Sequence, residues 1–268
     1  MQILPSHPVS MAKILDLSIK LFVASFQKLI GFFVLMAIPP LVVGVVVLIA
    51  MGIFPEEFKH FMSEQGTDPT FGIILLVLGL LMALVFSVLY FVSYPGMIYR
   101  IANVANERED SLKEAMQVGL KKLPSMMLAV FLLSLVLMLG FVLLIIPGII
   151  LSLSTMYYPY FIVIDSLGAL AALKASHNLV WGHWWRTATI FMAPVVMMMV
   201  FYVILGLMTA FLFADDSFVP SIINMFFSAF TTPYFFTLGY VQFHDLKMRQ
   251  TGGDLEARLT APKINLEK

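Results

Sequence analysis

Cysteine is absent from the 268-residue chain, and charge is scarce: 12% Asp, Glu, Lys and Arg against 60% hydrophobic residues. The first absence excludes disulfides, cysteine-ligated zinc and thiol catalysis. The second excludes an ordinary soluble domain, where charged residues make up about 25%. The formal net charge is zero, so no global basic field draws the chain to nucleic acid. A glycine-rich phosphate loop, a G-x-S-x-G elbow and an HExxH ligand pair are also missing. No Asp, Glu, Lys or Arg sits clearly in the middle of an apolar run. Ion-coupled transporters mark their pathway with such residues, because a charge at mid-bilayer costs ~3 kcal/mol or more. Nothing therefore points to a catalytic set, a cofactor or a metal centre.

What the chain does contain is a succession of apolar runs, all but one long enough to cross a bilayer as a helix of about 20 residues. They lie at about 29–54, 71–99, 124–146, 149–164, 187–213 and 221–243. The first follows a charged segment and has no small-residue cleavage site, so it reads as a retained span rather than a signal peptide. Pro39 and Pro40 are expected to kink or break it. Pro147-Gly148 signals a tight turn between the third and fourth spans. The fourth span reaches only ~24 Å at about 1.5 Å per residue, short for a ~30 Å hydrocarbon core.

Three amphipathic segments precede alternate spans, at about 10–28, 111–123 and 166–185. In the first, Ser10 is a helix N-cap. Leu15, Ile19, Phe22, Phe26 and Leu29 recur at steps of three and four, while Lys13, Asp16, Lys20 and Gln27 take the other side. In the second, Ser111 and Glu114 form a capping-box pair after Asp110. In the third, Asp165-Ser166 is the expected cap, and the segment ends in Trp181, Trp184 and Trp185, the only tryptophans of the chain. Tryptophan favours the membrane–water boundary, where its ring is buried and its N–H stays wet. Such helices are expected to lie in the interface.

With both termini cytoplasmic, every basic residue except Lys59 faces the cytoplasm, while Glu56, Glu57, Glu64, Asp68, Asp215 and Asp216 face outward. The positive-inside rule selects that orientation. The expected fold is thus all-α: a polytopic inner-membrane domain over residues 1–248 with six transmembrane helices, followed by a cytoplasmic tail at 249–268.

The amphipathic segments align without gaps. Ile14–Ser18, Ser111–Ala115 and Ala172–Ser176 superpose, and then Leu21, Val118 and Leu179 coincide, as do Phe26, Leu123 and Trp184. The second span of each pair carries a proline in a matching setting: Ser93-Tyr94-Pro95-Gly96, Tyr157-Tyr158-Pro159-Tyr160 and Thr231-Thr232-Pro233-Tyr234. The reading is three parallel units, each an amphipathic helix plus two spans. Each proline frees a carbonyl that must be satisfied in lipid, and the adjacent hydroxyls are placed to do so.

The run PYFIVID, followed by ALKAS-x-x-LVWG-x-WW, resembles the YciC-like family of bacterial inner-membrane proteins. That family is similar to the membrane domain of some glycerophosphodiester phosphodiesterases. The resemblance covers most of the chain and implies a six-span inner-membrane fold with no established activity. The His-Arg pair and acidic metal cluster of the phosphodiesterase are not found here, so its activity does not carry over.

Tyr94, Pro95, Tyr157, Pro159, Tyr160, Thr232, Pro233 and Tyr234 on the second spans, with His177, Trp181 and Trp184 of the third amphipathic segment, are the candidate lipid-contacting or cavity-lining residues. The tyrosines and threonines either line a shared cavity or serve as helix–helix glue. His177, His183, His244, Asp165 and Asp245 share the cytoplasmic side, where interfacial side chains with wet tips are the expectation. Lys121-Lys122 and the other basic helix ends are expected to meet anionic headgroups. The leading reading is a non-enzymatic membrane protein engaged with lipid, or a scaffold for a membrane-protein partner. The alternative is a transporter or lipid translocator with a cavity between the second, fourth and sixth spans.

Overall fold

In the computed structural model, residues 4, 5, 7–53, 69–143, 145–212 and 219–260 are described. The expected outer loops at 55–70 and 214–220, with Lys59 and the acidic residues there, and the last part of the tail lie largely outside them. Among the described residues all regular structure is helical: α1 (Met11–Ile53), α2 (Pro69–Ala105), α3 (Leu112–Leu143), α4 (Ile145–Thr155), α5 (Tyr158–Val163), α6 (Ala169–Val180), α7 (Trp184–Leu212) and α8 (Val219–Thr260). Five segments among the described residues are long and apolar enough to cross a membrane: Met11–Met36, Gly72–Ala105, Leu112–Met138, Ile146–Val163 and Trp184–Leu212.

Two expected starts are made as read. The Ser10 hydroxyl accepts the Lys13 N–H at 3.3 Å. Ser111 and Glu114 exchange reciprocal bonds, with the Glu114 N–H on the Ser111 hydroxyl at 3.1 Å and the Ser111 N–H on the Glu114 carboxylate at 3.3 Å. Other boundaries differ. Helices α1 and α3 run straight through the expected junctions at 28/29 and 123/124, and α1 does not end at positions 39 and 40. Only the third amphipathic segment is separated from its span, at Gly182, whose φ of 93° is left-handed backbone that glycine adopts freely. Pro147 lies in the first turn of α4, so the Pro-Gly pair is inside a helix and is not itself the turn. A first-turn proline gives up an N–H that has no helical partner there. The expected fourth span is two helices, α4 and α5, parted at Met156-Tyr157. Asp165 and Ser166 do not cap α6. Its N-cap is Gly168, without a side-chain bond.

The core is built from Ile14, Leu21, Leu29 and Phe32 of α1, Ile98 and Ile101 of α2, Met126 of α3, Ile162 of α5, Ile190 of α7, and Leu238 and Leu246 of α8, with Tyr157 before α5. Outside this zone apolar side chains stand open. Leu80 is 62% exposed and Met199 66%, within segments of spanning length. A water-soluble monomer does not carry apolar surface on that scale. Here it is the face that meets hydrocarbon.

Neighbouring helices approach closely at small residues, as helices do in lipid. A Cβ added to Gly96 of α2 would lie 3.0 Å from the Ala115 carbonyl of α3, and one on Gly119 of α3 would collide with the Val92 carbonyl. The first half of α1 packs on α8, with Phe26 stacked on Phe230 at 5.3 Å and Phe22 edge-on to Tyr234 at 6.1 Å.

Candidate functional site

The stretch from Tyr157 to Arg186 wraps around the last part of α8. The break between α4 and α5 leaves backbone groups without helical partners. Ser176 of α6 bridges it: its hydroxyl accepts the Tyr157 N–H at 2.9 Å and donates to the Ser154 carbonyl at 2.9 Å. Both bonds are buried. The hydroxyls expected next to the prolines do less. Ser93 Oγ has no partner within hydrogen-bond reach among the described residues.

Tyr94, Tyr157 and Tyr160 come together on α8. The Tyr94 ring meets Phe236 edge-on at 4.5 Å. Tyr160 donates its hydroxyl to the Phe236 carbonyl at 2.9 Å and stacks on Phe243 at 5.5 Å. Tyr157 lies 6.1 Å from the Phe243 ring. Gly239 is where this packing is tightest, since a Cβ there would overlap the Tyr160 hydroxyl. Pro95, Pro159 and Pro233 are buried, Tyr157 and Tyr160 are buried, and Thr232 is exposed. Tyr234 is set apart from the other tyrosines. With Phe22, Met197, Phe201, Tyr202 and Phe230 it lines a groove of about 430 Å³ between α1, α7 and α8.

Residues 240–249 of α8 collect four separate parts of the chain. Tyr240 meets the side chain of Asn106 at the end of α2 at 3.2 Å. Lys247 pairs with Asp165 of the α5–α6 connection at 2.7 Å. Asp245, with its side chain 1% exposed, takes Arg186 of α7 at 3.0 Å and Arg249 at 2.8 Å. It also accepts the Val9 N–H at 2.9 Å, and both arginines donate to the Val9 carbonyl. A second buried carboxylate, Asp110, holds Lys28 at 2.7 Å and Arg100 at 2.9 Å. Asp110 lies in a connection and Asp245 late in α8, where no motif marks them as ion-pair partners, and Asp165 reads in the sequence as a cap instead. The one signal in the sequence is the matched position of Lys28 and Arg186 at the start of aligned spans.

Burial pushes the Asp245 carboxyl up. The Arg249 side chain, the Val9 N–H and the charges of Arg186 and Arg249 outweigh it and hold the carboxyl below its ordinary value. Burial lowers the His244 imidazole, against a raising effect of Asp245 and with a further lowering by Lys247. Among the described residues no group of three or more His, Asp and Glu side chains is gathered as a metal would need. His177 instead shares a hydrogen bond between Nδ1 and the Ser154 hydroxyl at 3.1 Å and lies 5.0 Å from the Trp181 ring.

Trp181 and Trp185 are exposed, and Trp184 is half-buried, edge-on to Trp185 at 4.8 Å. The three tryptophans and Gly182 face Ile146, Ile149 and Ile150 of α4 across a groove of about 520 Å³.

Comparison with known proteins agrees with a membrane protein. A UPF0259 membrane protein of Sodalis glossinidius (strain morsitans) is 32% identical over 84 residues, covering 31% of this chain and 34% of the relative. The match thus spans about a third of that relative's length. No solved structure matches the chain. Residues 69–241, well over half of the chain, match the Uncharacterised protein family (UPF0259), and the chain belongs to that family of multi-pass membrane proteins.

Proposed function

We propose that this is a non-enzymatic inner-membrane protein of six spans in three parallel units, with both termini cytoplasmic. Its three amphipathic segments engage the anionic inner leaflet and serve lipid or envelope organisation. The carrying observation is that each segment exposes apolar side chains beside lysines. Val23 is 67% exposed, Leu120 54% and Leu170 71%, and Lys20, Lys121 and Lys174 are exposed on the same helices. An apolar stripe flanked by cations suits the membrane boundary, with stems in hydrocarbon and ammonium groups among phosphates. Helix α6, set off at Gly182, is free to lie in the interface, while the first two segments enter it as the starts of α1 and α3. Among the described residues no carboxylate pairs with Lys113, Lys121 or Lys174.

The threefold reading is supported by two contacts of the same kind, although Gly119 and Phe26 stand four residues apart in the aligned register. Gly119 of α3 meets position 92 of α2, and Phe26 of α1 meets position 230 of α8. Positions 92 and 230 each precede the aligned proline by three residues. In both pairs the amphipathic segment of one unit packs on the second span of another. The packing of Tyr94, Tyr157 and Tyr160 into α8 speaks against a transport cavity at their position.

The test is thermal stability in nanodiscs as phosphatidylglycerol replaces phosphatidylcholine. The anionic lipid should raise the midpoint, salt should erode the gain, and Lys113→Gln with Lys121→Gln should reduce it, at about 1 kcal/mol per basic residue. Identical midpoints in both lipids would refute the reading.

A further inference from the structure

The groove between α4 and the α6–α7 elbow has a composition that the rest of the lipid-facing surface lacks. Three isoleucines at steps of three and four on α4 form one wall. The other wall holds all the tryptophans of the chain. Its volume, about 520 Å³, falls within the ~300–1,000 Å³ of ligand pockets. The walls are rigidly related: Ser176 ties α6 to the α4–α5 break through two buried hydrogen bonds, and His177 adds a third through Ser154.

Charge completes the description. Lys174 stands two turns before Trp181, about 10 Å along the helix, and is exposed. Arg186, the nearest basic residue on the other side of the elbow, is turned inward onto Asp245. On the α6–α7 elbow the exposed lysine is therefore Lys174, about 10 Å along the helix from Trp181 of the groove.

From this the geometry points to a site for one anionic phospholipid, its acyl chain in the Ile146–Ile150 and Trp181–Trp185 groove and its phosphate on Lys174. The inference rests on the lipid-engaging reading above but goes beyond it. General attraction to an anionic leaflet requires no such groove and favours no single lysine.

Because every tryptophan lines the groove, intrinsic fluorescence reports on it directly. The full chain is reconstituted in phosphatidylcholine bilayers, and quenching is measured with acyl-brominated phosphatidylglycerol and acyl-brominated phosphatidylcholine at equal mole fractions. The relative binding constant should favour phosphatidylglycerol about fivefold, the factor that corresponds to about 1 kcal/mol for one basic residue at the surface. Lys174→Gln should bring the ratio close to one, Lys174→Arg should keep it, and Lys121→Gln on α3 should leave it unchanged. Lys174 is exposed and has no ion-pair partner among the described residues, so an unaltered melting midpoint certifies folding of each variant. Equal loss in Lys174→Gln and Lys121→Gln would mean attraction by the whole surface, overturning the site while the general reading stands. A ratio of one in the unmodified protein overturns the site too. The nanodisc midpoints then decide separately whether the general reading falls with it.

Discussion

Replacing Ser176 with alanine removes one oxygen from a position with no exposure and tests how the α4–α5 break is held. Two bonds go with it. The Tyr157 N–H loses its acceptor at 2.9 Å, and the Ser154 carbonyl loses a donor at 2.9 Å. Ser154, Tyr157 and Ser176 are all 0% exposed, so water does not take over without opening the packing. Each buried group left unmade costs about 1–3 kcal/mol, which gives about 2–6 kcal/mol for Ser176→Ala. The control is Ser18→Ala at the aligned position of α1. Ser18 is equally buried, but its hydroxyl donates to Ile14 O, a carbonyl four residues back in the same helix, at 2.6 Å. That carbonyl keeps its helical bond, so the loss should stay below about 1 kcal/mol. Unfolding in mixed micelles, followed by tryptophan fluorescence for α6–α7 and by circular dichroism for the whole helix content, separates the two variants. Equal stability of Ser176→Ala and Ser18→Ala would refute the assignment of Ser176 as the bridge across the break.

Removing the carboxylate in Asp245→Ala leaves Arg186 and Arg249 facing each other and the Val9 N–H unpaired. A buried charge pair broken on one side costs about 3–5 kcal/mol, and equilibrium unfolding should register that loss. His244 carries a pH signature just beyond the expected end of the last span. Its folded pKa lies below the ordinary value, so the unfolded chain takes up the proton first. Stability is full above about pH 6.5 and falls as the pH drops below it. Midpoints measured from pH 7.5 to 5.5 should decline, and His244→Gln should flatten that decline. Gly119→Ala drives a methyl group into the Val92 carbonyl, where backbone cannot yield. It should cost about 1–3 kcal/mol. Gly206→Ala, where a Cβ meets nothing within 4 Å, should be neutral or mildly stabilising by the same measurement.

Local rules carried the sequence reading where the interaction is local. Ser10 and the Ser111–Glu114 pair bond within one turn, so spacing alone identifies them. The pattern of apolar runs likewise reports a solvent preference that needs no knowledge of neighbours. Asp165-Ser166 looks like a cap by the same spacing, but Lys247, 82 residues away, takes the carboxylate at 2.7 Å, and Lys122 donates to the Ser166 hydroxyl at 2.9 Å. A tertiary ion pair outweighs a cap, and the helix starts later. Ser176 reads as one more small residue on a buried stripe. Its counterparts Ser18 and Ala115 are that and no more, because α8 and α2 run unbroken where they pack. The difference arises in α4–α5, a partner that no pattern within α6 reveals. His177 and the tryptophans, which attract notice as candidate chemistry, are spread between a hydrogen bond to Ser154 and an open groove.

The clamp on Val9 has a consequence for how the protein is made. Its partners Asp245 and Arg249 lie 236 and 240 residues further along the chain. A ribosome releases the N-terminal segment first and α8 last, and domains otherwise assemble largely in order of synthesis. The first helix therefore enters the membrane with one flank unmatched, and that flank stays open until nearly the whole chain has been translated. Arg186, already in place on α7, waits for the same carboxylate. A chain stopped short of Asp245 would keep the Arg186 bond to the Val9 carbonyl but leave that guanidinium without its carboxylate and the Val9 N–H without its acceptor. Such a product presents an open seam to quality-control proteases, and completion of α8 is what closes it.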